Sequence, residues 1–505
     1  PASTITVTAR RVAGAAGNRG DWSLVTGTGI LNNGTADDGI ATYAFGVGES
    51  SVVLGLKDTY VQTVNIDVLD GSAITESSGT GGIHPDANLN FVQSGFKFTS
   101  PIATQIAGTT SVSYDLQAIR TDTQTGACTG AFTGLVSNIE LASECVDPST
   151  CQAAQQVNFV NNGSGVIAAN PAGAPSSYTT RTLNFGASST AQFTFDYPDV
   201  GAIRLHARYN IPLGGGGGSG NLMTGATDVG GFVVKPATFR VTGIARTTDS
   251  FANLGAGDAT GSVFIKAGED ITLTVRSENS LGNLTPNFGK ESAPEGVVLT
   301  ANLVAPSPGN NPALGNATIA GGSFSGGQAT ATNVTWGDAG VITLTPAVAD
   351  GNYLGAGSVA GTTTANVGRF TPFDFAVGYN TPQFTTACSA GTFTYVGQLF
   401  NYGTAPVLTV TARNKAGGTT LNYKGTTPAA SAFFKLTNAS LTPATQALRY
   451  SAATGTLDVS VLPLASADPA IVANGDGTGT LTFSSGGGLA FNRTTPVAPF
   501  DANVA

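Results

Sequence analysis

The chain has 505 residues, which is too many for a single hydrophobic core, and we expect roughly three or four domains. Only 10% of the residues are charged, the net charge is −9, and the 22 Lys and Arg residues are scattered, which argues against a nucleic-acid partner. Apolar residues make up 41% of the chain in short alternating bursts, which argues against disorder, and no run of about 18 apolar residues predicts a membrane-spanning helix.

Strand patterns follow one another along the whole chain. Apolar and polar residues alternate, with Thr, Val, Ile and aromatic residues prominent, in TITVTARRV, SVSYDLQAI, AQFTFDY, AIRLHARY, DITLTVRS, VITLTPAV, VLTVTARN and TLTFSS. Asn-Gly, Asp-Gly, Gly-Gly and Pro-containing turns separate these segments, and no stretch of ten residues has the apolar spacing of an amphipathic helix. The predicted fold class is therefore all-β.

Both ends of the chain have strand patterns, STITVTARRV at the start and APFDANVA at the end. No signal peptide is visible, although the hydroxyl-rich, weakly charged composition is typical of exported bacterial β-proteins. We therefore expect the chain to be a fragment of a longer exported protein.

One motif occurs twice, as YPDVGAIRLHARY at 197–209 and as WGDAGVITLTPAV at 336–348. Asp199 and Gly201 in the first copy match Asp338 and Gly340 in the second, and subtraction of the residue numbers gives 139 for both pairs. We predict that each Asp-x-Gly forms a tight structural turn, with the glycine at positive φ, that leads into the last strand of a sandwich. The two aspartates are predicted to accept hydrogen bonds from nearby backbone N–H groups.

Proline-containing connectors recur beside these motifs and divide the chain into units of roughly 130 residues. The connectors are FKFTSPIATQ, FVVKPATFRV and VGRFTPFDFAV. We predict a partial Ig-like β-domain with a linker at 1–93, Ig-like sandwiches at 94–231 and 232–366, and a truncated Ig-like sandwich at 367–505. Since proline stiffens a linker, the tandem domains are predicted to form an elongated rod.

Four cysteines bear on the compartment of the protein. Cys145 and Cys151 flank a Pro-containing turn in ECVDPSTC, so a disulfide between them is our first prediction, and a Cys128–Cys145 bond across a short hairpin is the alternative. Cys388 is left to pair with Cys128 or with a partner outside this chain. Disulfides indicate an oxidising compartment.

Only two histidines are present, which disfavours a Ser-His-Asp triad or a His-based metal site. His206 shares one face of its strand with Arg204 and Arg208, and we favour an exposed strand face over a polar binding face. His84 lies in a predicted loop at 77–88.

Acidic loops and the two tryptophans are interpreted as structural. Asp37, Asp38 and Asp476 lie in turn-like segments without the Asp-x-Asp-x-Asp pattern of a calcium loop. Trp336 precedes an Asp-x-Gly motif and is predicted to fill the core rather than to stack on a sugar. We predict no catalytic residues, cofactor or metal, and no Lys–Asn crosslink.

Several segments resemble MshQ-like proteins, which are encoded with the mannose-sensitive haemagglutinin type IV pilus of Gram-negative bacteria. They are YDLQAIRTDTQTGACTGAF, ECVDPSTC, FTFDYPDVGAIRLHAR, FTTACSAGTFTYVGQLF and PVLTVTARNKAGGTTLNYKG. The resemblance covers the chain from Phe96 to the C-terminus, is weaker over 232–366, and implies a surface-exposed or extracellular protein without established catalytic residues.

The predicted function is that of a non-enzymatic extracellular stalk with a structural or adhesive role, with type IV pilus components, and surface glycans, as partners. A first alternative is the subunit of an extracellular filament or sheath, whose partners are copies of itself joined by strand addition. A second alternative is a surface protein that binds or degrades polysaccharide.

Overall fold

The computed structural model of the protein describes most of the first 386 residues and shorter stretches beyond them. The described residues are 4–12, 17–58, 62–70, 88–91, 94–99, 101–121, 128–152, 154–211, 221–386, 393–395, 398, 400–425, 433–437, 448–450, 457–458, 470–482, 490–491 and 502–504. Residues 77–87 of the loop predicted at 77–88, together with His84 and Cys388, lie outside this set.

The first domain is a small two-sheet unit. Its strands are β1 (Thr4–Arg11), β2 (Asp21–Thr26), β3 (Ile30–Asn32), β4 (Ile40–Ala44), β5 (Val53–Lys57), β6 (Gln62–Asp70) and β7 (Leu89–Phe91). One sheet has the order β3-β4-β1-β6-β7, and β2 pairs with β5 in the other. Among the described residues, no strand of this domain joins a sheet of the next one.

The second domain has the longest strands among the described residues. They are β8 (Ser94–Phe98), β9 (Gln105–Ile106), β10 (Tyr114–Thr121), β11 (Cys128–Gly130), β12 (Gly134–Asp147), β13 (Asn158–Phe159), β14 (Gly165–Val166), β15 (Ala168–Asn170), β16 (Thr179–Phe185), β17 (Thr190–Phe193), β18 (Phe195–Asp196), β19 (Gly201–Ile211), β20 (Asn221–Ala226) and β21 (Phe232–Lys235). A four-stranded sheet around β10 packs against a seven-stranded sheet with the path β15-β12-β19-β21-β9.

The third domain repeats this plan with fewer strands. They are β22 (Thr238–Arg246), β23 (Ile265–Lys266), β24 (Ile271–Glu278), β25 (Val297–Ala305), β26 (Thr318–Ile319), β27 (Gln328–Val334), β28 (Gly340–Val348) and β29 (Val367–Thr371), with short 3-10 helices at Gly321–Ser323 and Tyr353–Gly355. The sheet β22-β24-β27 faces the sheet β23-β29-β28-β25-β26. Alternation explains the core, because Ile271, Leu273 and Val275 of β24 are all buried.

The fourth domain is described in part. Its strands are β30 (Asp374–Tyr379), β31 (Gln383–Thr385), β32 (Asn401–Thr404), β33 (Val407–Arg413), β34 (Leu448–Tyr450), β35 (Leu457–Asp458), β36 (Val472–Ala473), β37 (Thr478–Thr482), β38 (Ala490–Phe491) and β39 (Ala502–Val504). The sheet β30-β33-β37-β36 is its largest described sheet.

The predicted all-β fold of tandem Ig-like sandwiches is confirmed, but two predicted boundaries are wrong by a few residues. β21 and β29, which we expected to open the third and fourth domains, pair with β19 and β28 and so complete the preceding sheets. The reason is the proline after each strand, which lacks an N–H and ends the pairing. The domains therefore divide near 236 and 372 rather than before 232 and 367.

Candidate functional site

The most distinctive site in the chain is the contact between the second and third domains. The first corner (197–201) links β18 to β19, and its Asp199 is fully buried. Asp199 Oδ1 accepts hydrogen bonds from the backbone N–H of Val200 at 2.9 Å and from the backbone N–H of Asn287, in the third domain, at 3.1 Å. The predicted turn former therefore also binds the neighbouring domain.

The glycine of each corner is required by space as well as by conformation. Gly201 has φ of 124° and Gly340 has φ of 148°, both in the region that favours glycine. A Cβ at Gly201 would overlap the carbonyl oxygen of Asp147, and one at Gly340 would lie 2.5 Å from that of Ala305. The prediction of positive φ agrees with this geometry, and β19 and β28 each begin at the glycine.

The third domain receives the first corner with a loop that begins and ends with asparagine, the first receiving loop (279–287). Asn279 Nδ2 donates to the carbonyl oxygen of Pro198 at 3.0 Å. Asn287 Nδ2 donates to the hydroxyl of Tyr197 at 3.1 Å and to the carbonyl oxygen of Val200 at 3.3 Å. Two side-chain amides thus bind the backbone and the tyrosine of the corner.

The contact between the third and fourth domains uses the same arrangement. Asp338, in the second corner (336–340), accepts hydrogen bonds at Oδ1 from the backbone N–H of Ala339 at 2.7 Å and of Asn422 at 3.0 Å. Asn414 Nδ2 donates to the carbonyl oxygen of Gly337 at 2.9 Å. The second receiving loop (414–422) therefore matches the first, and subtraction of the residue numbers places both asparagine pairs 135 positions apart.

Each junction also contains a linker of one residue without backbone bonding. The carbonyl oxygen of Lys235 accepts from the N–H of Ala107, and the N–H of Ala237 donates to Glu278, so only Pro236 lies between the two bonded positions. At the next junction Thr371 and Phe373 are bonded in the same way, to Ala267 and Arg413, around Pro372. Such a linker leaves little freedom for one domain to rotate against the next.

The two junctions differ in the hydrogen bonding of the second carboxylate oxygen of the aspartate. Asp338 Oδ2 accepts from Asn310 Nδ2 at 2.8 Å, whereas Asp199 Oδ2 is buried without a hydrogen-bond partner among the described residues. Burial raises the pKa of Asp199 to about 7 and also raises the pKa of Glu291, whose negative charge adds to the effect on Asp199, while Lys290 opposes it. Burial raises the pKa of Asp338 as well.

In the second domain, the two positions that correspond to the asparagines hold other residues. There the N–H of Ala118 donates to the carbonyl oxygen of Ser189, and the N–H of Ala131 donates to the carbonyl oxygen of Ala118. Equivalent backbone bonds occur in the next two domains. By that correspondence, Arg120 and Thr133 occupy the positions of the two asparagines. The paired corner and loop are therefore described at two junctions, second to third and third to fourth. The corresponding bonds are Ser277 to Gly327, Thr285 to Ser277, Ala412 to Gly477 and Thr420 to Ala412.

The structure joins Cys145 and Cys151 in a disulfide with a Cα–Cα distance of 5.7 Å, which is the pairing the sequence favours. It does not pair Cys145 with Cys128, which is exposed in β11. Among the described residues, no helical segment has the length and hydrophobicity that spanning a bilayer requires.

The expectation that His206 lies on an exposed strand face is wrong. Its side chain is only 12% exposed, and its Nε2 lies 2.7 Å from Glu144 Oε2. Burial lowers the pKa of His206, although Glu144 opposes that shift. Arg208 pairs with Glu140 at 2.6 Å and covers the ring of Tyr178. Arg204, His206 and Arg208 of β19 therefore each bond to a glutamate of β12, which the sequence did not reveal.

The other predicted residues form turns or core. Asp37 and Asp38 accept backbone N–H bonds from Gly20 and Ile40, as turn residues do. Asp476 accepts in the same way from Thr478. Trp336 is fully buried, with its Nε1 donating to Pro312, and Trp22 is also buried, with its Nε1 donating to Gly39.

Comparison of the sequence with protein families gives three adjacent matches to one family. The model described as "Domain of unknown function (DUF6701), first Ig-like domain" matches residues 75–226. The models of the second and third DUF6701 domains match residues 235–335 and 338–505. A comparison with curated proteins found no match.

Three solved structures are similar to the chain at low sequence identity. The D0-D1 domain of intimin is 16% identical, and the match covers 54% of this chain and 97% of that one with a TM-score of 0.15. A trypsin-activated α2-macroglobulin from Escherichia coli is 10% identical over 82% of this chain and 24% of its own, with a TM-score of 0.20. A Salmonella α2-macroglobulin is 10% identical over 99% of this chain and 28% of its own, with a TM-score of 0.19. Superpositions this poor carry no argument about function.

Proposed function

Because the chain belongs to the DUF6701 family, whose three domains cover most of it, we propose that it is a non-enzymatic stalk at the bacterial surface, in which locked domain junctions maintain an extended shape. The observation that carries the proposal is the repeated junction, in which Asp199 and Asp338 each accept a backbone bond from the following domain. Burying a carboxylate between two domains costs free energy. A flexible tether would not need such a group, so its presence favours junctions that hold the domains in a fixed orientation.

The junctions are extensive enough to resist bending. The hydrophobic core of the second domain continues into that of the third as one cluster that runs from Phe96 to Phe370. The corner bonds directly to the receiving loop, and the backbone is bonded on both sides of the proline linker. Rotation of one domain would therefore break several buried hydrogen bonds at once, each worth about 1 kcal/mol net.

The described polar residues support a structural role over a catalytic one. Arg204 and His206 both bind Glu144, and the carboxylates of the acidic turns accept backbone bonds. Association with type IV pilus components, as in the MshQ-like proteins, and an extracellular location in a Gram-negative bacterium remain part of this proposal.

Small-angle X-ray scattering of the full chain tests the extended shape. A compact protein of 505 residues has a radius of gyration of about 23 Å, whereas four sandwich domains in line give about 40 Å. We expect a value near the larger figure that does not change with salt concentration. A value near 23 Å would rule out the stalk, and filaments in negative-stain images would favour the alternative of a self-assembling subunit.

A further inference from the structure

In the seven-stranded sheet of the second domain, the face turned away from the core carries charged and aromatic side chains that the fold does not require. Arg204, His206 and Arg208 lie in the first copy of the repeated motif. Adding the spacing of 139 residues between the two copies gives Thr343, Thr345 and Ala347 in the third domain. The third domain forms the same strand pair, β25 with β28, using neutral residues. A function specific to the second domain would explain why ionised groups are held there despite the cost of partial burial.

A cavity of about 340 Å³ opens on this sheet and is lined by Asn138, Glu140, Thr180, Tyr209 and Asn210. It lies at an irregularity in β12, where the register with β16 shifts between Val136 and Ile139. Asn138 in that irregularity has φ of 65°, an uncommon conformation for a residue other than glycine. Bulges of this kind often re-aim side chains at binding sites.

The polar groups of the cavity are ordered on one side and available on the other. Glu140 is opposite Thr180 on β16 and opposite Arg208 on β19, so the three side chains share one face of the sheet. Arg208 fixes the carboxylate with two hydrogen bonds, at 2.6 and 3.3 Å, and lies 3.8 Å from the centre of the Tyr178 ring. Among the described residues, the amides of Asn138 and Asn210 have no hydrogen-bond partner.

We propose that this cavity binds one sugar unit of a glycan, with the amides of Asn138 and Asn210, the hydroxyl of Thr180 and the carboxylate of Glu140 hydrogen-bonding to the sugar hydroxyls. A volume near the lower end of the range for ligand pockets suits a single pyranose ring. Amides and carboxylates suit adjacent hydroxyl groups because each can accept bonds, and an amide can also donate them. The inference rests on the proposed role as a surface stalk and adds to it the binding of a glycan.

The test uses the full chain and a printed array of oligosaccharides, followed by saturation-transfer NMR with free glucose, galactose and N-acetylglucosamine at millimolar concentration. We expect binding to one class of sugar, and we expect Asn210→Ala or Glu140→Gln to weaken it at least tenfold. Thr343→Ala, on the corresponding face of the third domain, is the matched control and should bind as the native chain does.

Thermal unfolding of each variant shows whether it is folded, and Asn138→Ala provides a second variant if Glu140→Gln unfolds. The absence of binding to every array sugar and every free sugar, or equal binding by the native chain and both cavity variants, would overturn the proposal. Scattering separates this from the stalk, because loss of sugar binding should leave the radius of gyration unchanged.

Discussion

Replacing Asp199 by asparagine should remove the part of the pH dependence of the junction between the second and third domains that comes from ionising this buried carboxyl. Burial raises the pKa of Asp199 from 3.8 to about 7 in the folded chain. Because the folded pKa lies above the unfolded one, the stabilising effect of this group is complete below about pH 4 and is lost as the pH rises through about 7. Asparagine carries no charge to bury, so Asp199→Asn should not lose stability in this way.

The magnitude follows from the two pKa values. They differ by about 3, and one pKa unit corresponds to about 1.4 kcal/mol, so ionising the buried carboxyl costs about 4 kcal/mol in total. Roughly 3 kcal/mol of this falls between pH 4 and pH 7. Other groups facing the carboxyl, namely Glu291, Lys290, Tyr197 and Tyr353, are present in both proteins and largely cancel in the difference.

Because the second and third domains share one hydrophobic core, their joint unfolding by urea, followed by the fluorescence of Trp336, provides the assay. Trp336 is buried in the third domain, and replacing Trp22 of the first domain by phenylalanine leaves it as the one tryptophan of the chain. We expect the free energy of unfolding of Asp199→Asn, relative to that of the native chain, to rise by about 3 kcal/mol between pH 4 and pH 7. Asp249→Asn removes an exposed carboxylate of the same domain and should follow the native curve. If the Asp199→Asn and native curves run parallel from pH 4 to pH 8, the carboxyl is not the titrating group and the reasoning fails.

Two further predictions concern the parts of the junctions that Asp199→Asn leaves intact. Asn422→Ala should cost about 1–3 kcal/mol of stability, because the bonds of its amide to Asn310 are lost. It should also broaden the distribution of distances between spin labels on the third and fourth domains. An unchanged distribution would show that the receiving loop is not needed for alignment. Gly340→Ala should cost at least about 2 kcal/mol because of both its φ and the facing carbonyl of Ala305, as measured by thermal unfolding, whereas Gly257→Ala, where nothing crowds the new methyl group, should cost less than about 1 kcal/mol. Equal losses in the two glycine variants would contradict the steric argument.

The sequence predicts the fold class and the corners because both depend on local patterns. Alternation identifies strands such as β24 and β28, and the paired Asp199 and Asp338 mark one turn in two copies. The partners of those aspartates are not local, because Asn287 is 88 residues from Asp199 and Asn422 is 84 residues from Asp338. The 135-residue spacing of the asparagine pairs was a signal that could have identified the receiving loops.

The domain boundaries and the paired face of β19 show a second limit of pattern reading. A strand followed by proline can end one sheet or begin another, and only its partners decide, as β21 and β29 show. Likewise, alternation places His206 on the polar side of β19 but does not reveal that Glu144 lies directly beside it. Both questions depend on which distant strand packs next to the one being read.

The third domain has a receiving loop at one end and an acidic corner at the other, with a proline after its last strand. Two copies of this domain in series would therefore fit one another through a contact already present twice in the chain. Duplication of the gene segment that encodes this domain would therefore lengthen the protein by one unit without requiring a new interface.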